Sequence, residues 1–284
     1  MTRKELHALK TFAARIRMET VKSVGARGFG HLGGALSVVE ALAVLYGGVM
    51  RIDPRRPDWA ERDKLVMSKG HAGPALYATL ALKGYFPPDW LKTLNQPGTR
   101  LPSHCDRTLT PGIDMTTGSL GQGVSTAIGL ALAQRMDGGD RRTWLITGDG
   151  ELNEGQTWEG ALFAPQQKLT NFVWLVDYNR KQLDGTTGEI IDLGDLAAKF
   201  SAFGWHARST AGNDVEAVAE AMAEATAETA RPSCIILNTI KGAGIPFVEE
   251  IELNHHIIFK GELLEKSVAW MEGKLAELAK EDLS

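Results

Sequence analysis

The sequence predicts an α/β fold, a mostly parallel sheet with helices on both faces. Short apolar runs read as strands: Lys64 to Ser68 (KLVMS), Thr143 to Thr147 (TWLIT), Phe172 to Val176 (FVWLV) and Ser233 to Ile240 (SCIILNTI). Helix-length segments separate them, and apolar strands alternating with helices imply a parallel sheet covered on both sides. Two of the strands run into chemically loaded turns, Gly148-Asp149-Gly150 and Asp177-Tyr178-Asn179. Open parallel sheets bind ligands at these carboxyl ends.

Taken in order, Leu6, Leu9, Ala13, Ile16 and Val24 recur at helical spacing, which predicts an amphipathic helix over 4–24. Residues 35–50 are apolar nearly throughout and read as a second, buried helix. After the strand at 64–68, Tyr77 to Leu82 continues a helix begun near His71. Segment 85–116, rich in Pro, Gly and Thr, reads as a long loop, and loops of that length in compact domains tend to be functional. A helix rich in small residues follows at 120–136, then the strand at 143–147, a helix after the GDG turn, and the strand at 172–176. Gln182 to Gly194 reads as loop and Gly204 to Arg208 as a strand. Asn213 or Asp214 can cap an Ala-rich helix running to about Ala230. The last strand, 233–240, precedes a charged amphipathic helix at about 261–280. No repeat or internal boundary appears, so residues 1–284 are expected to form a single domain ending in that helix.

Composition narrows the function. A chain of 284 residues can bury a sizeable core. Its net charge of −4 provides no basic stripe for nucleic acid. No apolar run approaches the ~18 residues of a membrane span. MTRKELHALK has no stretch resembling a signal peptide, and Cys105 and Cys234 are too few for a disulfide framework. The expectation is a cytoplasmic protein.

Asp149 and Asn179 stand 30 residues apart, each just past a strand. A carboxylate and an amide oxygen facing one another there suit a hard cation such as Mg2+ or Ca2+. Gly150 lets backbone approach a phosphate. Alone, Gly-Asp-Gly is common turn chemistry. Gly28-Phe-Gly30-His-Leu-Gly33 also satisfies GxGxxG, with Asp53 20 residues on. That fingerprint must follow a strand, whereas here it follows a helix period, so it reads as a decoy.

GDG, the 30-residue spacing and the asparagine resemble the thiamine-diphosphate motif. His31-Leu-Gly-Gly, Ser68-Lys-Gly-His71, Pro102-Ser-His104, Thr117-Gly-Ser-Leu-Gly-Gln-Gly123 and Thr239-Ile-Lys-Gly-Ala-Gly244 also resemble transketolase, in that family's order. The chain is similar to the N-terminal, diphosphate-binding part of that family's thiamine diphosphate fold. The resemblance implies thiamine diphosphate plus Mg2+, with Ca2+ or Mn2+ able to substitute. It makes Asp149, Asn179 and a main-chain carbonyl near Lys181 the metal ligands. It sets Gly150 and His71 against the cofactor, and Gly118 and Leu120 against its rings. His31 and His104 would line the substrate channel. A later histidine would approach the diphosphate and the reacting carbon. His255 is preferred, and His256 is the alternative register, because Asn254 replaces a tryptophan usual in related split enzymes. Glu154 and Glu159 would belong to a carboxylate network at the subunit interface, although five residues apart they do not share a helix face well. Their plainer reading is a solvated face.

The resemblance also implies a partner. The family's activating glutamate lies on a second domain, and no residue here matches it. The chain therefore reads as the N-terminal subunit of a split transketolase, active only with a C-terminal subunit, in a heterotetramer of two plus two chains. Its expected reaction moves a two-carbon glycolaldehyde unit from a ketose phosphate to an aldose phosphate. Two other readings stay open. One is the alpha subunit of a 2-oxoacid dehydrogenase, which shares the half-site but not the SKGH and TTGSLGQG segments. The other is a catalytically silent cofactor-binding module.

Overall fold

The computed structural model describes residues 1–281. Helix α1 (Arg3–Arg27) opens with a capping box in which Thr2 and Glu5 satisfy each other's backbone N–H. It closes at Gly28, whose φ of 85° is the left-handed conformation that ends helices. Then come β1 (Phe29–Gly30), α2 (Gly33–Leu36) and α3 (Val39–Val44), which runs into a π-turn at Leu45–Val49. Strand β2 (Lys64–Met67) leads to α4 (Gly73–Lys83), and α5 (Gln122–Met136) leads to β3 (Thr143–Gly148). The remaining order is α6 (Gly155–Gln166), β4 (Phe172–Tyr178), α7 (Thr187–Ile190), α8 (Leu196–Ala202) and β5 (His206–Ala211). It ends with α9 (Val215–Ala227), β6 (Ser233–Asn238), α10 (Pro246–Glu249), β7 (Ile257–Ile258) and α11 (Glu262–Leu278).

Five strands form one sheet in the order β2-β3-β4-β6-β5, every pair parallel. Strands β2, β3, β4 and β6 are mostly apolar on both faces because each face is covered, whereas the edge strand β5 (HARSTA) is polar and only partly buried. Along β4, Val173 and Leu175 enter the core shared with α1, α3, α4 and α9. Trp174 and Val176 enter the core shared with α5, α6 and α8. Trp174 is fully buried, edge-on to Phe200 and Trp205 at ring separations of 5.1 and 5.7 Å. Side chains buried this completely each contribute about 1.5–3 kcal/mol. Helix α11 lies along α1, with Leu264 against Gly25. The strand register sets Gly148 beside Asp177 and Tyr178 beside Asn238, which brings the ends of β3, β4 and β6 level.

Several expectations are corrected. The helix expected at 35–50 is broken between Leu36 and Val39 and ends in the π-turn. The loop at 85–116 contains a 3-10 turn at Pro88–Thr93 and is tied down by Tyr77, whose hydroxyl donates to the Pro102 and His104 carbonyls at 3.0 Å. The loop at 182–194 contains α7, started by a Thr186–Glu189 capping box. Strand β5 starts two residues later than expected, and Asp214, not Asn213, caps α9. The pairing of β1 with β7 was not foreseen, because two-residue strands carry no periodicity. The GxGxxG segment follows α1, a helix, as the decoy reading requires.

Candidate functional site

Four parallel strand ends, with two segments folded back over them, bound a cavity of about 260 Å3. After β2 the chain turns through Lys69 and Gly70 to present His71. Gly70 is required there, since a Cβ would sit 2.6 Å from the Thr117 carbonyl oxygen. After β3, Asp149 is held by the Gly150 N–H at 2.8 Å and the Arg180 N–H at 2.5 Å. After β4, Asn179 points its amide oxygen at the Lys181 N–H, 3.1 Å away, while its NH2 donates to Asp177 at 2.8 Å. After β6, Lys241 donates to the Lys181 carbonyl at 2.9 Å and meets His255 Nδ1 at 3.1 Å.

Of the residues singled out in the sequence, His31, His71, His104 and His255 line this cavity. So do Gly118, Leu120, Asp149, Gly150, Asn179 and Lys181. Glu154 does not. It is the solvent-exposed N-cap residue of α6, with its side chain against Gly121, and among the described residues it makes no salt bridge, as a residue that faces a partner chain also would. Glu159 is also exposed, one turn along the same helix. His256 is exposed and does not line the cavity, its ring edge-on to His31 at 4.7 Å. Asn254 is 1 % exposed. Its NH2 bridges the Lys241 and Val248 carbonyls at 2.8 and 2.9 Å, and its main-chain carbonyl accepts from the Gly33 N–H at 3.2 Å. These three bonds fix His255 over the cavity.

The sequence reading missed Lys69, Asp177, Lys241 and Glu151, all buried. Each lies inside or beside a quoted motif, which was the available signal. Asp177 is fully buried and accepts from Lys69, Thr239, Ser37 and Asn179. Burial opposes its ionisation, but the Lys69 ammonium and these hydrogen bonds outweigh it and hold the carboxyl below its ordinary range. Asp149 has no such partner. Burial first, and the Asp177 charge second, push it up to about 6. Burial lowers Lys241 to about 8. The four cavity histidines are all pushed towards the neutral form. Burial brings His31 to about 4 and His255 to about 3, helped by neighbouring imidazoles and Lys241, and it depresses His71 and His104 as well.

A buried carboxylate that resists ionisation, beside an amide oxygen and a main-chain carbonyl, is a donor set for a hard cation. Among the described residues no group of three or more His, Cys, Asp or Glu could hold a metal ion. That excludes a cage of such side chains but fits Mg2+, which takes one or two carboxylates and completes its shell with phosphate oxygens and water. The neutral imidazoles, each able to donate or accept, suit hydroxyl and phosphate groups in the same space. A larger cavity, about 550 Å3, lies between α1, α9 and α11. Its two buried charges, Arg17 and Glu40, satisfy each other at 2.5 Å, so volume alone does not make it the functional site.

A family model described as "Transketolase, thiamine diphosphate binding domain" matches residues 9–271. The 6-deoxy-6-sulfo-D-fructose transketolase subunit SqwG of Clostridium sp. (strain MSTE9) is 51% identical over 257 residues, covering 90% of this chain and 94% of that protein. An apulose-4-phosphate transketolase subunit of Phocaeicola vulgatus is 35% identical over 278 residues, covering 98% and 99%. Among solved structures, transketolase from Leishmania mexicana superposes with a TM-score of 0.86 at 31% identity, over 97% of this chain and 42% of that one. The chain thus spans less than half the length of that transketolase.

Proposed function

The chain belongs to the transketolase family, and from that premise we propose that it is the diphosphate-binding subunit of a two-chain transketolase. It moves a two-carbon glycolaldehyde unit from a ketose phosphate to an aldose phosphate. The observation that carries this reading is the convergence of Asp149, Asn179 and four neutral histidines on one cavity at the sheet's carboxyl edge. When bound, thiamine diphosphate supplies the nucleophilic carbon and electron sink that ketol transfer needs. Asp149, Asn179 and the Lys181 carbonyl hold Mg2+ against its diphosphate. His71 and His255 donate to the diphosphate end. His31 and His104 hold sugar hydroxyls, donating or accepting a proton as needed. Gly118 and Leu120 form the wall beside the rings and keep water from it.

The partner is a C-terminal transketolase subunit that brings the activating glutamate, in an assembly of two plus two chains in the cytoplasm. Both of the relatives above carry the word subunit in their names. Several apolar side chains are uncovered: Leu183 (58 % exposed) on the cavity wall, and Leu162 (56 %) and Phe163 (44 %) on α6. Among the described residues no helix is long and apolar enough to cross a membrane. The test is turnover by the purified chain with thiamine diphosphate, Mg2+, a ketose phosphate donor and an aldose phosphate acceptor. Activity is expected only with the partner and should saturate near one-to-one stoichiometry. Full turnover by this chain alone sinks the split-subunit reading.

A further inference from the structure

Glu151 lies on the cavity wall, two residues past Asp149, and is 2 % exposed. No role in holding cation, diphosphate or sugar falls to it above. Its Oε2 accepts from the Gly148 N–H at 3.1 Å, which anchors the side chain to the end of β3. Its Oε1 reaches the opposite way, accepting from the Gly121 N–H at 2.9 Å and from the Ser68 hydroxyl. One carboxylate therefore joins three segments: the end of β2, the end of β3, and the turn that opens α5.

That turn depends on it. Residues 118–121 lie outside any helix or strand, and Gly118 and Gly121 have φ values of 145° and 83°. Among the described residues, the bond from Gly121 to Glu151 is the sole hydrogen bond donated by the backbone of 118–121. Immediately before Gly121, Gly118 and Leu120 face the cavity. An ionised acceptor forms stronger hydrogen bonds than a neutral one, and a buried N–H left without an acceptor is costly.

We propose that Glu151 is a positioning residue, whose carboxylate sets residues 118–121 at the height where they meet the ring half of thiamine diphosphate. The diphosphate half is left to Asp149 and Asn179. This inference rests on the cofactor reading above. Glutamine at 151 has the same shape but only one acceptor oxygen. It cannot take both backbone N–H bonds, so the turn loses its fixed height while the metal ligands stay.

The test is calorimetric titration of the purified full chain, in Mg2+, with thiamine diphosphate and separately with inorganic pyrophosphate. Glu151→Gln is expected to raise the Kd for thiamine diphosphate about tenfold and to change that for pyrophosphate by less than about twofold. Ser68→Ala, which removes one bond to the same oxygen, should move the ratio of the two constants the same way by a smaller factor. If Glu151→Gln fails to fold, Ser68→Ala decides alone, and an unchanged ratio overturns the proposal. Equal weakening of both ligands by Glu151→Gln overturns it too, since that is what a merely structural role produces. If neither the wild-type chain alone nor the chain assembled with its partner binds either ligand, the cofactor reading itself falls, and this inference with it.

Discussion

Replacing Asp149 with asparagine should separate metal binding from folding, because the two respond to its charge in opposite ways. In the folded chain the carboxyl is raised from 3.8 to about 6, chiefly by burial and then by Asp177. At pH 7.5 the group is ionised, and holding it so costs roughly 3 kcal/mol. Asp149→Asn removes that cost. It also leaves one of two part-buried backbone N–H groups, Gly150 or Arg180, without its carboxylate acceptor, at about 1–3 kcal/mol. The two nearly cancel, so the ligand-free variant should melt within a few degrees of wild type. Ligand response should differ sharply. At a hundredfold excess over Kd, thiamine diphosphate with Mg2+ stabilises the wild-type chain by about 2.7 kcal/mol. For a domain of this size that is a rise in Tm of about 5 °C or somewhat more. The variant should show none of it. Differential scanning fluorimetry with and without Mg2+ and cofactor reads both effects. A variant with an undiminished, Mg2+-dependent shift would refute the ligand assignment. A ligand-free variant destabilised by far more than about 3 kcal/mol would refute the electrostatic account.

Two further outcomes follow from the histidines. His71→Ala should mainly weaken cofactor binding and His104→Ala should mainly raise KM for the donor ketose, measured on the assembled enzyme; identical kinetic profiles would count against this division. The folded pKa values of His31 and His255, about 4 and about 3, lie below the unfolded value of 6.5, as do those of His71 and His104. The folded state then binds fewer protons, so this stability is complete above pH 6.5 and drains as pH falls towards about 4. Asp149 and Glu151, raised in the fold, act in the opposite sense, with Asp149 starting near pH 6. Urea midpoints of the ligand-free chain should therefore drop between pH 7 and pH 5.5, and a flat or rising midpoint would contradict the histidine burial.

Much of this molecule is written locally. The apolar runs at 64–68, 143–147, 172–176 and 233–240 became strands within a residue or two of expectation, because a strand buried on both faces must be apolar throughout. The turns after them were legible because their glycines and polar residues are adjacent in sequence, and ten residues named from these turns and from the other quoted motifs share one cavity. What the sequence did not disclose depends on contacts between distant residues. Lys69 finds Asp177 across 108 positions, and Glu151 finds Ser68 across 83. No local pattern encodes such pairs, since a buried charge is chosen by whatever the fold brings beside it. The strand order, with β6 inserted between β4 and β5, is likewise invisible to periodicity. Which of His255 and His256 lines the cavity depends on a single residue of register, and His255 does so beside Asn254, which bridges Lys241, Val248 and Gly33. The spacing of Asp149 and Asn179 past two strands, with the resemblance carried by the quoted motifs, indicated which chemistry gathers at the sheet's edge. Tertiary packing decided which side chains face inward and what charge they hold there, because burial and neighbours set both orientation and protonation.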